Sequence, residues 1–143
     1  GQWQVNKTVA TLSNAMDVSA PNNWPRVEDL LAQGVISRAD LSAQVVDEED
    51  TQLGVRQLSQ LGYLSEPHAA VAYRALKREL QPGEYGLFLG TAHPAKFPDA
   101  VKRATGVHPA LPDHVADLFD REERIVNLPN DLQVIEAFVA SCH

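Results

Sequence analysis

The stretch "GLFLGTAHPAKFPDA", residues 86–100, decides how the chain is read. Its apolar half, Leu87-Phe88-Leu89, has the composition of a buried strand. It stops abruptly on Gly90, Thr91, Ala92, His93 and Pro94. In an open α/β sheet, ligands bind just outside the carboxyl ends of the strands. Gly90 would let a planar group or another backbone come close there. The Thr91 hydroxyl donates one hydrogen bond and accepts others, which suits a ring nitrogen or a carboxylate. Threonine also caps turns, and spacing alone leaves both uses of Thr91 open.

Working outward from residues 85–89, "YGLFL", three more segments read as strands: residues 8–12, "TVATL", residues 44–46, "QVV", and residues 124–129, "RIVNLP". Helical patterns alternate with them. Asn23 and Pro25 open "RVEDLLAQ", which Gly34 ends. Asp47 caps "EEDTQLGVRQLSQLG", whose acidic first turn suits the positive end of a helix dipole, and Gly62 stops it. Pro67 opens the alanine-rich "PHAAVAYRALKREL", with Val71, Ala72, Ala75 and Leu76 on a narrow apolar face. Pro98 opens "PDAVKRATG", closed by Gly106. A short helix near Asp113 and a terminal one in "NDLQVIEAFVAS" follow. Alternating strands and helices imply an α/β fold with a mainly parallel sheet, and 143 residues imply one domain, 1–143.

Composition narrows the function classes. Asp plus Glu number 19 against 12 Lys plus Arg, a formal charge of -7 without a basic cluster, which argues against nucleic acid as a partner. The single cysteine, Cys142, cannot form an internal disulfide, so a reducing compartment, the cytoplasm, is expected. No apolar run approaches the ~20 residues of a membrane span, and "GQWQVNKTVATLS" does not read as a signal peptide. The five histidines show no metal-ligand spacing, so no metal is expected. The polar loop "SNAMDVSAPNNWPR" offers Asn14, Asp17, Asn23 and Arg26 to a substrate, or else uses them in turns that hold the loop.

Three long motifs, "TVATLSNAMDVSAPNNWPR", "GYLSEPHAAVAY" and "GTAHPAKF", resemble the C-terminal portion of the bacterial threonine synthase family. The resemblance runs from Gly1 to about Leu128. It implies a fold-type II enzyme dependent on pyridoxal 5'-phosphate (PLP), a lyase of threonine biosynthesis that turns O-phosphohomoserine and water into threonine and phosphate. It implies that Thr91 meets the pyridine nitrogen of the cofactor. It offers Asn14, Asp17, Asn23, Arg26, His68 and His93 as substrate-side residues, and no catalytic residue within this segment. The family's cofactor lysine and its Gly-Asn-Phe-Gly phosphate loop lie upstream of the matching motifs and do not occur here. The chain is therefore expected to be a piece of a longer enzyme, inactive alone, part of the large PLP-binding domain. Its partner is then the N-terminal part of that enzyme, and the face left bare invites self-association. Two other readings stay open at this stage: a fragment of another fold-type II PLP lyase, and a stand-alone, non-catalytic α/β interaction domain.

Overall fold

A computed structural model describes residues 6–14 and 17–142. Met16 of the polar loop and His143, one of the five histidines, lie outside the described residues. The chain divides into two units, residues 1–110 and 111–143.

The first unit is built on local helix signals. Helix α1, Trp24–Ala32, starts after Asn23, whose side chain makes no capping hydrogen bond, with proline in the first turn. Helix α2, Glu48–Gln60, begins where the Asp47 carboxylate accepts from the Asp50 amide at 2.8 Å. Helix α3, Pro67–Glu79, is capped by Glu66. Helix α4, Pro98–Thr105, ends at Gly106, whose φ of +77° is a left-handed cap that a side chain would strain. A 3₁₀ turn, Pro94–Lys96, precedes α4. In the second unit, 3₁₀ turns at Asp113–Val115 and Leu118–Asp120 replace the short helix expected near Asp113. Helix α5, Leu132–Ser141, follows, with Asp131 accepting from the Gln133 and Val134 amides.

The core is where α2, α3 and α4 meet, at Val55, Ala70 and Ala104. Small residues set the spacing. A Cβ on Gly54 would lie 3.1 Å from the Ala70 carbonyl oxygen and 2.8 Å from Cγ of Arg74, so α2 approaches α3 as closely as glycine allows. The deeply buried residues of α3 are Pro67, Ala69 and Ala70, one turn before the face expected from the sequence; Val71, Ala72, Ala75 and Leu76 are half-buried. Asp50 of α2 pairs with both Arg74 and Arg78 of α3, at 2.5 Å each. Arg78 also donates to the Val45 carbonyl, which ties residues 44–46 to α3.

The expected parallel sheet is not formed among the described residues, which hold no β-strand. A ladder needs a neighbour that takes up each backbone N–H and C=O, and residues 8–12, 44–46, 85–89 and 124–129 have none here. The strand-like pattern is nevertheless visible at residues 85–89. Tyr85, Leu87 and Leu89 are 101%, 85% and 70% exposed. Between them, Gly86 backs onto Leu76 of α3 and the half-buried Phe88 meets Tyr63 and Tyr73. One face of this segment lies on α3 and the other is bare. No helix among the described residues is long and apolar enough to cross a membrane.

Candidate functional site

The turn that follows residues 85–89 rests on the start of α3. Gly90 makes this possible: a Cβ there would lie 2.6 Å from the Tyr63 hydroxyl oxygen and 3.7 Å from Cβ of Ala69. Thr91 comes next, exposed, and no hydrogen bond engages its hydroxyl among the described residues. The chain then turns through His93, whose Nδ1 accepts from the Ala95 amide at 3.2 Å, and through Pro94–Lys96. Phe97 closes the turn. It is 9% exposed, and its ring stands edge-on to the His68 ring with centroids 5.1 Å apart. The use of Thr91 as the turn's cap is not seen; His93 takes that role.

His68 is brought to this turn by α3. Its Nδ1 lies 2.6 Å from Oε2 of Glu66, which is 1% exposed. An ionised carboxylate only accepts, so Nδ1 carries the hydrogen and donates. Glu66 also accepts from the His68 amide at 2.7 Å and the Ala69 amide at 2.8 Å. Glu66 is not among the residues that the sequence singles out. The signal available was its place directly before Pro67, but glutamate is not a favoured capping residue, and its contact with the histidine depends on the fold.

The polar loop also reaches the end of this turn. A cleft of about 220 Å³ is lined by Thr11, Leu12 and Asn14 of the loop and by Lys96, Phe97 and Arg103. A second hollow, about 400 Å³, brings His93 beside Tyr63, Leu64, Ala92 and Pro109. Asp17 is occupied in holding the loop: its carboxylate accepts from the Thr11 amide at 2.8 Å and the Thr11 hydroxyl at 2.5 Å. The loop is further tied to α2, because the Leu12 amide donates to Glu48 at 3.1 Å. Asn23 and Arg26 sit at the start of α1, exposed, with no hydrogen bond or ion pair to the other candidates among the described residues. The structure thus gathers Asn14, His68, Thr91 and His93 around one turn. It leaves Asn23 and Arg26 apart and shows Asp17 in a structural role. No group of three or more His, Cys, Asp or Glu residues that could hold a metal ion occurs among the described residues.

A family model described as "Threonine synthase, C-terminal" matches residues 69–139. Threonine synthase of Escherichia coli (strain K12) is 54% identical over 135 residues, which cover 94% of this chain and 32% of that protein. The chain belongs to the threonine synthase family. It corresponds to the C-terminal portion. The crystal structure of the Escherichia coli threonine synthase superposes on 99% of the chain with a TM-score of 0.78 at 51% identity, using 33% of its own length. A PLP-bound threonine synthase from Brucella melitensis superposes on 96% of the chain with a TM-score of 0.70 at 30% identity, using 35% of its length. The chain spans about a third of the length of the threonine synthases it matches.

Proposed function

We propose that the chain acts as the C-terminal portion of a PLP-dependent threonine synthase, which converts O-phosphohomoserine and water into threonine and phosphate in the cytoplasm. The observation that carries the reading is Thr91: an exposed residue whose hydroxyl has no hydrogen-bond partner among the described residues, held at a turn beside a residue that has no Cβ. That arrangement fits a flat heteroaromatic ring, since an unengaged hydroxyl supplies the donor that a pyridine nitrogen needs and Gly90 presents no side chain of its own. PLP, when bound, supplies an electron sink for carbanionic chemistry. The chain's own work is to place the Thr91 hydroxyl at the ring nitrogen, a neutral contact that holds a protonated nitrogen less strongly than a carboxylate would. Asn14, His68 and His93 flank the same turn and are the substrate-side residues favoured by geometry; Asp17, Asn23 and Arg26 are less favoured.

The sheet belongs to the same proposal. Residues 8–12, 44–46, 85–89 and 124–129 gain ladder partners from the rest of the longer enzyme, and residues 1–143 then form part of its large PLP-binding domain. The bare Tyr85, Leu87 and Leu89 side chains are the support for this. Without those partners, this apolar face drives self-association of the chain. The fragment of another PLP lyase and the free-standing interaction domain are disfavoured by the family match and by relatives named threonine synthase. The test is phosphate release from O-phosphohomoserine by the whole enzyme, with PLP bound. Turnover is expected, and its absence in a folded, PLP-loaded enzyme would overturn the reading.

A further inference from the structure

Glu66 is an unusual cap. Asp, Asn, Ser and Thr are the residues that usually close a helix start, and a buried carboxylate carries a desolvation cost that only good hydrogen bonds offset. Here both oxygens are used. Oε1 accepts from the Ala69 amide at 2.8 Å. Oε2 accepts from the His68 amide at 2.7 Å and lies 2.6 Å from the imidazole Nδ1. The extra methylene of glutamate lets one carboxylate cap the helix and hold the ring together. No other polar contact orients that ring among the described residues, because its Nε2 is buried without a partner.

The two residues so held are those on which the Thr91 turn stands. Its first end, Gly90, lies against Ala69, and its last, Phe97, meets the His68 ring edge-on at an interplanar angle of 65°. We propose that Glu66 is a positioning residue for the turn that carries Thr91, acting through Ala69 at one end and His68 at the other. The inference rests on the functional reading above, because it matters to the reaction only if Thr91 meets the cofactor. A carboxylate removed or shortened frees the His68 ring, Phe97 loses a fixed neighbour, and the Thr91 hydroxyl drifts from its place.

The experiment uses the whole enzyme with Glu66→Asp, Glu66→Gln, Thr91→Ala and the double variant Glu66→Asp/Thr91→Ala. Aspartate is a favoured cap, so Glu66→Asp keeps the helix start but cannot also reach Nδ1. The expected result is an unchanged melting temperature, faster amide hydrogen exchange confined to residues 90–97, and PLP affinity weakened roughly ten- to hundredfold, the scale of a small misplacement near a reacting centre. The affinity is read from the cofactor's visible absorption during titration. In the double variant the two losses should not multiply, because both act on one contact. Glu66→Gln retains the reach and one capping oxygen. It guards against misfolding of the shorter side chain and should show the same confined rise in exchange. Unchanged exchange at residues 90–97 in both variants overturns the proposal whatever the cofactor does, as do losses that multiply independently with Thr91→Ala. A failure of the functional reading looks different: the unmodified enzyme would bind no PLP, while the exchange pattern would still report on the turn.

Discussion

The backbone at Gly90 runs so close to Tyr63 that a Cβ there would lie 2.6 Å from the phenol oxygen. The contact joins the end of residues 85–89 to the chain just before α3. Gly90→Ala must push the Tyr63 ring aside, and that ring also meets Phe88 at 6.5 Å. A loss of roughly 1–2 kcal/mol is expected, typical of overpacking. Tyr63→Phe removes the offending oxygen and should recover most of the loss in the double variant. Chemical denaturation of the four proteins measures it; a Gly90→Ala penalty that Tyr63→Phe leaves untouched would assign the strain to the backbone instead.

Thr91 separates binding from packing. With the hydroxyl at the pyridine nitrogen, Thr91→Ala in the whole enzyme leaves a buried acceptor unpaired, at about 1–3 kcal/mol, roughly a ten- to hundredfold loss of turnover. Thr91→Ser keeps the hydroxyl and most of the activity. Because the Thr91 hydroxyl has no hydrogen-bond partner among the described residues, the melting temperature of the cofactor-free Ala variant should match that of the unmodified protein. Turnover and an unshifted cofactor absorption band equal to wild type in Thr91→Ala would remove the residue from the site.

Asp50 makes the stability of the α2–α3 pair sensitive to acid. The hydrogen bond from Arg74 holds its carboxyl below the usual range, and the charges of Arg74 and Arg78 add to this while burial opposes it. A folded-state value below the unfolded value of ~3.9 means the contribution is fully present above about pH 4 and lost as pH falls through the folded value. Asp50→Asn should cost roughly 1–3 kcal/mol at neutral pH, where it breaks partly buried charge-assisted bonds. It should also flatten the fall in stability on acidification. Urea denaturation at neutral pH and at pH 3–4 gives both quantities, and a parallel acid dependence in the variant would place the sensitivity elsewhere.

The chain alone should release no phosphate from O-phosphohomoserine, even with added PLP. Its lysines are committed to other surroundings or stand outside a cofactor-lysine motif. Lys77, for example, lies 5.6 Å over the Tyr73 ring. Phosphate release clearly above a no-protein control would show that the chain supplies the missing chemistry itself.

Much of this protein was legible in local sequence. Asp47, Pro67, Pro98 and Gly106 announced three helices because caps, first-turn prolines and left-handed glycines act within a few residues of themselves. The Thr91 motif was legible for a similar reason, since the eight consecutive residues 90–97 build the turn. Other features depended on distance along the chain. Residues 85–89 show the alternation of a strand, yet a ladder is a property of two segments, and no second one pairs with them among the described residues. Asn14, Asp17, Asn23 and Arg26 are equivalent polar residues in the sequence; only the fold set Asn14 beside Lys96, spent Asp17 on Thr11 and left Asn23 and Arg26 aside. Glu66 carried only a weak local mark, its place directly before Pro67. Its role follows from α3 meeting a turn more than twenty residues further on, through Ala69 and His68, and hydrogen bonds and ring contacts of that kind exist only once tertiary packing has brought their partners within reach.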